Sequence, residues 1–90
     1  MPDFVPGQLV FSKAGRDKTG CFVVLAVDGE FCYIADGKTR RLSSPKKKKK
    51  KHMQPTNTIN AFLAQLIKSG AHIKDSDIQA AVKNFLKKAL

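Results

Sequence analysis

The stretch CFVVLAVDGEFCYIADG, residues 21–37, decides the fold class. Cys21 to Val27 is an apolar run rich in valine, and β-branched and aromatic side chains favour a pleated, half-buried surface. Asp28-Gly29 follows, a pair that tolerates the positive φ of a tight hairpin turn. Glu30 to Ala35 then reads as a second strand, ended by a second such pair, Asp36-Gly37. With Asp28-Gly29 as a two-residue loop, Val27 faces Glu30, Leu25 faces Cys32 and Cys21 faces Asp36. This register puts Phe22, Val24, Phe31 and Tyr33 on one face, and Val23, Leu25, Cys32 and Ile34 on the other. Both faces of the hairpin are apolar, so one lines an interior and the other needs a cover.

Outward from the hairpin the same grammar continues. Gln8 to Lys13 (QLVFSK) reads as a preceding strand, closed by Ala14-Gly15. Lys38 to Leu42 (KTRRL) reads as a fourth strand, and His52 to Gln54 as a short fifth. Several short strands with glycine turns over about fifty residues predict a small, partly open, five-stranded barrel of the SH3-like kind. Pro55 to Asn57 reads as a linker. From Thr58 to Ser69, Ile59, Phe62, Leu63, Leu66 and Ile67 fall at helical spacing, with Gly70 as the stop. Asp75 to Leu90 repeats the pattern with Ile78, Val82, Phe85 and Leu86, beside Ala81 and Ala89, and Ser76 and Gln79 could form a capping box. The fold class expected is therefore mainly β with C-terminal α. Residues 1–56 form the barrel and residues 57–90 a two-helix hairpin. Helices this short need something to pack on; either the barrel's apolar outer face or a second copy of the chain would serve.

Charge narrows the function. Seventeen basic residues stand against seven acidic ones, a net charge of +10, while an apolar fraction of 42% keeps the chain in the globular range. Lys46 to Lys51 are six consecutive lysines, placed between expected strands and so presented as a loop on a folded surface. Such a run implies a polyanionic partner, nucleic acid above all. If all six met single-strand phosphates they would contribute a log–log salt slope of roughly −4. A homopolymer is too uniform to read bases, so it adds affinity without sequence choice. The segment Lys13-Ala14-Gly15-Arg16-Asp17-Lys18-Thr19-Gly20 is a second basic element. Gly15 and Gly20 allow a tight backbone path, and Lys13, Arg16 and Lys18 offer cations. In the expected fourth strand Arg40 and Arg41 point to opposite faces, so at least one reaches solvent or a phosphate. Phe11 and Tyr33 are candidate stacking platforms, although core packing accounts for them more simply.

Other chemistry finds little footing. Cys21 and Cys32 lack C-x-x-C spacing, fall apart in the expected register, and read as small buried hydrophobes of a reducing cytosol. His52 and His72 have no carboxylate or thiol at catalytic spacing; His52 reads as a strand residue or an extra cation beside the lysines. Asp75 and Asp77 suit a helix N-terminus. Neither catalysis, a cofactor nor a metal is expected. Met1 to Phe4 has no signal-peptide character, no stretch approaches the ~20 apolar residues of a membrane span, and neither helix has the character of a membrane-surface anchor.

Taken together, GQLVFSKAGRDKTGCFVV (residues 7–24), IADGKTRRL (34–42) and PKKKKKKHMQPT (45–56) resemble the KOW motif and its continuation in short bacterial relatives of a large-subunit KOW ribosomal protein of archaea and eukaryotes. The likeness covers roughly residues 5 to 56; it departs at Thr19, where the family usually has glycine, and does not reach the helices. It implies an SH3-like barrel that binds RNA, often ribosomal RNA. By matching positions it implies contacts from Lys13, Arg16, Lys18, Arg40, Arg41 and Lys46, Lys47, Lys48, Lys49, Lys50 and Lys51, with His52 alongside. The expectation is a non-enzymatic, cytoplasmic, ribosome-associated RNA-binding protein with ribosomal RNA and ribosomal proteins as partners. The alternative is a protein-interaction module that uses the barrel and the amphipathic helices, including homodimerisation through them.

Overall fold

The computed structural model describes residues 4–15 and 20–88. Five antiparallel strands precede two helices: β1 (Gln8–Ser12), β2 (Cys21–Asp28), β3 (Phe31–Ala35), β4 (Lys46–Lys49), β5 (Met53–Ile59), α1 (Ala61–Ser69) and α2 (Asp75–Lys88). The sheet order is β4-β3-β2-β1-β5. Its two edge strands are consecutive in the chain, joined by a single 3-10 turn at Lys50–His52. The sheet therefore curls to bring the adjoining ends of its edge strands together at this turn, and Lys13 N–H continues the β1–β5 ladder by donating to the His52 carbonyl at 2.8 Å.

The curl encloses Phe4, Val10, Phe22, Val24, Cys32, Ile34 and Met53. The convex side carries Leu9, Cys21, Val23 and Ala35, which pack with Leu63 of α1 and Ile78 and Ala81 of α2. The helices are thus the cover that the two-faced hairpin required, and Phe85 meets Phe11 at 5.8 Å between ring centroids. Two glycines let them approach. A Cβ on Gly7 would lie 2.8 Å from that of Ala64 in α1, and one on Gly37 would collide with the Asp75 carbonyl of α2.

The central hairpin departs from the expected register by two residues beside its turn and by one residue past a bulge. Asp28 pairs with Phe31, so Gly29-Glu30 is the loop, and a bulge at Leu25 brings Val24 opposite Ile34. The β2 faces are as expected, but β3 is turned over. Cys32 and Ile34 face the interior with Phe22 and Val24, while Phe31 and Tyr33 face out. A single-residue slip exchanges the faces of a strand. The interior selects Ile34, fully buried, over Tyr33, which is half-buried and carries a polar hydroxyl.

Lys38 to Leu42 is a turn and not a strand. The Asp36 carboxylate accepts from Lys38 N–H (2.8 Å), Arg40 N–H (2.9 Å) and the Thr39 hydroxyl (2.7 Å), and Leu42 N–H donates to Asp75. Side-chain bonds of this kind compete with a ladder for the backbone. The lysine run supplies the fourth strand instead, correcting the expected loop. The linker expected at Pro55 to Asn57 lies inside β5. Pro55 is tolerated because β5 is an edge strand, and Thr56 Oγ1 donates to the Leu9 carbonyl (2.6 Å) where the β1–β5 register shifts.

The first helix begins three residues later than expected, because Thr58 and Ile59 belong to β5. Asn60 caps it by accepting from Leu63 N–H at 2.9 Å, and Gly70 ends it in the left-handed region, as its sequence signal implied. Of the expected apolar stripe only Leu63 is fully buried; Ile59 and Phe62 are 50% and 64% exposed. The Ser76–Gln79 capping box does not form. Asp77 accepts from Lys74 N–H instead, and Gln79 Nε2 donates to the Gly37 carbonyl. No helix among the described residues is long and apolar enough to cross a membrane.

Candidate nucleic-acid interface

The lysine strand pairs with β3 in the register Phe31–Lys49, Cys32–Lys48, Tyr33–Lys47 and Ile34–Lys46. Lysine is not a strong strand former, but propensity yields to context where a neighbour offers an open row of backbone groups. Alternation then divides identical residues. Lys47 and Lys49 share the outer face with Tyr33 and Phe31, whereas Lys46 and Lys48 lie on the face of Ile34 and Cys32. Lys47 and Lys49 are exposed, and Lys48 is buried. A lysine-rich strand also suits a sheet edge, where charge deters pairing with another chain.

Lys48 has a structural task. Its stem lies opposite the fully buried Cys32, and its ammonium donates to the Ala14 carbonyl at 2.7 Å. The same carbonyl accepts from Ser12 Oγ at 3.0 Å. Lys48 thereby ties β4 to the opening of the glycine-basic segment. With the Lys13–His52 bond, the start of the glycine-basic segment, residues 13–15, and the lysine strand lie side by side. An open cleft of about 370 Å³ lies there, lined by Ala14, Gly15, Phe31, Lys46 to Lys49 and His52.

The outer face of β3 and β4 adds aromatic rings. The Lys47 ammonium stands 4.6 Å from the centroid of Phe31 and 5.8 Å from that of Tyr33. Such a cation–π contact contributes about 0.5–1 kcal/mol at an exposed position. The helices cover the Ala35 end of this face and leave Phe31 and Tyr33 half-buried. Asp28 pairs with Phe31 from the β2 side, so the cations lie towards β4 and a carboxylate lies opposite.

The sequence-derived candidates separate into groups. Lys13, Gly15, the lysines and His52 come together; Lys47, Lys49 and Lys51 are exposed, while Lys46, Lys50 and His52 are half-buried. Gly20 closes the glycine-basic segment, its carbonyl accepting from Ser12 N–H at 3.0 Å. Arg16 and Lys18, with Asp17 and Thr19, lie outside the described residues. Arg40 and Arg41 sit in the Asp36 turn against the start of α2, beyond the Lys46 end of β4, with Arg41 Nε bonded to the Lys38 carbonyl at 3.3 Å. Phe11 packs on Phe85 under the helices and is no platform. Phe31 was missed by sequence reasoning. The signal that would have found it is a strand in the lysine run, and six identical residues carry no periodicity.

Among the described residues, three side chains have shifted proton affinities. Burial pushes the Cys21 thiol up to about 11, against a lowering hydrogen bond from Phe22. Burial also raises Cys32, partly opposed by the charge of Lys50. Both cysteines are free, Cys32 inside the curl and Cys21 under the helices. For Asp36, partial burial pulls upward, but the combined hydrogen bonds of Thr39, Arg40 and Lys38 outweigh it and hold the carboxyl below its ordinary value. Among the described residues no group of three or more His, Cys, Asp or Glu is placed to hold a metal.

A scan of known protein-family models finds none that matches this chain, and no curated protein shows significant similarity to it.

Proposed function

We propose that this chain is a non-enzymatic RNA-binding protein, cytoplasmic and ribosome-associated, built on an SH3-like barrel of the KOW kind. One observation carries the reading: the Lys48–Ala14 bond sets the lysine strand against the opening of the glycine-basic segment. The likeness of residues 5 to 56 to KOW ribosomal proteins supports ribosomal RNA as the partner, and ribosomal proteins as neighbours. Recognition is by phosphate position and shape. Exposed Lys47, Lys49 and Lys51 hold the backbone electrostatically, Lys13, Arg16 and Lys18 add to the hold, and Arg40 and Arg41 form a separate flank.

The test is fluorescence anisotropy of labelled RNA over a salt series. Affinity should fall steeply between 50 and 200 mM salt, and Lys47→Ser/Lys49→Ser/Lys51→Ser should lower both affinity and slope. Binding that ignores salt and the triple replacement removes the reading.

A second reading, a protein-interaction module, is favoured by the exposure of Ile59 at the end of β5 and Phe62 in the first turn of α1. An apolar complex at that surface, homodimeric or with another chain, should persist at high salt.

A further inference from the structure

Resting on that RNA-binding reading, we propose that the outer face of β3 and β4 is a stacking platform for unpaired nucleotides: bases lie on Phe31 and Tyr33, and phosphates run over Lys47 and Lys49. The two rings are two residues apart on one strand and project from the same face. Both are half-buried, and neither belongs to the cluster beneath the helices. Their bodies are fixed by the sheet while part of each ring remains open. The strand beside them supplies cations at the same register, and on the opposite side Asp28 stands next to Phe31. A nucleic-acid strand is therefore oriented, with its backbone over β4 and its bases turned inward over β3.

Lys47 is the moving part. Its ammonium rests near both rings. An exposed cation–π contact is weaker than a base stacked on an aromatic ring. An incoming base displaces the ammonium, which a flexible four-carbon stem can carry to the adjacent phosphate. The exchange satisfies both partners only where a base and a phosphate arrive together with the base unpaired. A duplex keeps its base faces stacked inside the helix and offers phosphates alone. The platform therefore selects single-stranded segments from a surface whose lysines accept any polyanion.

Tyr33 reports on this directly, being the single tyrosine in a chain without tryptophan. Its emission is to be measured at 50 mM salt while the full chain is titrated with a ten-nucleotide oligouridylate, a ten-base-pair RNA duplex and inorganic polyphosphate. Saturating oligouridylate should quench Tyr33, and the duplex and polyphosphate should leave it nearly unchanged although both bind. Phe31→Leu, which keeps an apolar side chain, should weaken oligouridylate roughly tenfold and polyphosphate less than twofold. Circular dichroism checks that the variant keeps its fold. Equal quenching by all three polyanions, or equal weakening of oligouridylate and polyphosphate, overturns the platform. Oligouridylate that binds without quenching removes the platform and leaves RNA binding intact. If neither RNA binds, both readings fall together.

Discussion

The Lys48 ammonium lies 2.7 Å from the Ala14 carbonyl, thirty-four residues away in the chain, and this bond joins the two basic segments. One lysine of a run of six is thereby withdrawn from solvent. It becomes a part of the scaffold that displays the other five.

That division predicts opposite phenotypes within one homopolymer. Lys48→Ala removes a charged donor and the stem opposite Cys32, and should cost about 1–3 kcal/mol in denaturant unfolding. Lys48→Met keeps the stem and should recover part of the loss. Replacing Lys47, Lys49 and Lys51 with serine should leave stability within about 0.5 kcal/mol. The salt slope for single-stranded RNA should fall by roughly 2.

Contact between the Asp36 turn and α2 predicts intolerance at Gly37. Its φ is +81°, and a Cβ there meets the Asp75 carbonyl and comes 2.8 Å from Gln79 Cγ. Gly37→Ala should therefore cost about 2–4 kcal/mol, combining backbone strain with overpacking. Gly29, at +60° with nothing within 4 Å, should cost about 1 kcal/mol on the same change. Thermal unfolding of the two variants compares them directly.

Acid should weaken the same turn. The Asp36 carboxyl has a lower pKa folded than its ordinary 3.8, so its contribution is present above that value. It is lost as pH falls through the folded value. Asp36→Asn should flatten the acid limb of the stability–pH curve in this range, and urea midpoints between pH 2 and 5 provide the measurement.

Alkali should act through Cys21. Its thiol is raised from 9.0 to about 11 in the folded chain, so its contribution is complete below pH 9. It declines as pH rises towards 11, where the unfolded thiolate is favoured. Cys21→Ala should remove that part of the alkaline decline, although it also leaves a small void. In the native protein at pH 8 both cysteines should react with a thiol reagent far more slowly than in urea, because each is buried and held protonated.

How far the sequence could be read depended on whether neighbouring residues differ. Cys21 to Val27 announced itself as a strand by its valines. Leu63 and Ile78 announced buried helix faces, and Gly70 a helix end. The β3 face went astray because Phe31-Cys32-Tyr33-Ile34 is apolar at every position. Alternation cannot tell which pair lies inside, and the bulge at Leu25 has no local signature. Lys38 to Leu42 reads as a strand until the Asp36 carboxylate gathers its N–H groups.

By itself, then, the sequence determined the class of the molecule. Its strands precede its helices, a hairpin with two apolar faces demands a cover, and its net charge is +10. Those properties follow from composition and periodicity, which are local. The tertiary structure alone decided what the six lysines are. Their chemistry is identical at every position, so only the edge of β3 could make Lys46–Lys49 a strand, bury Lys48 against Ala14, and set Lys47 over Phe31 and Tyr33. Pairing with another strand breaks an equivalence that no reading of the run itself can break.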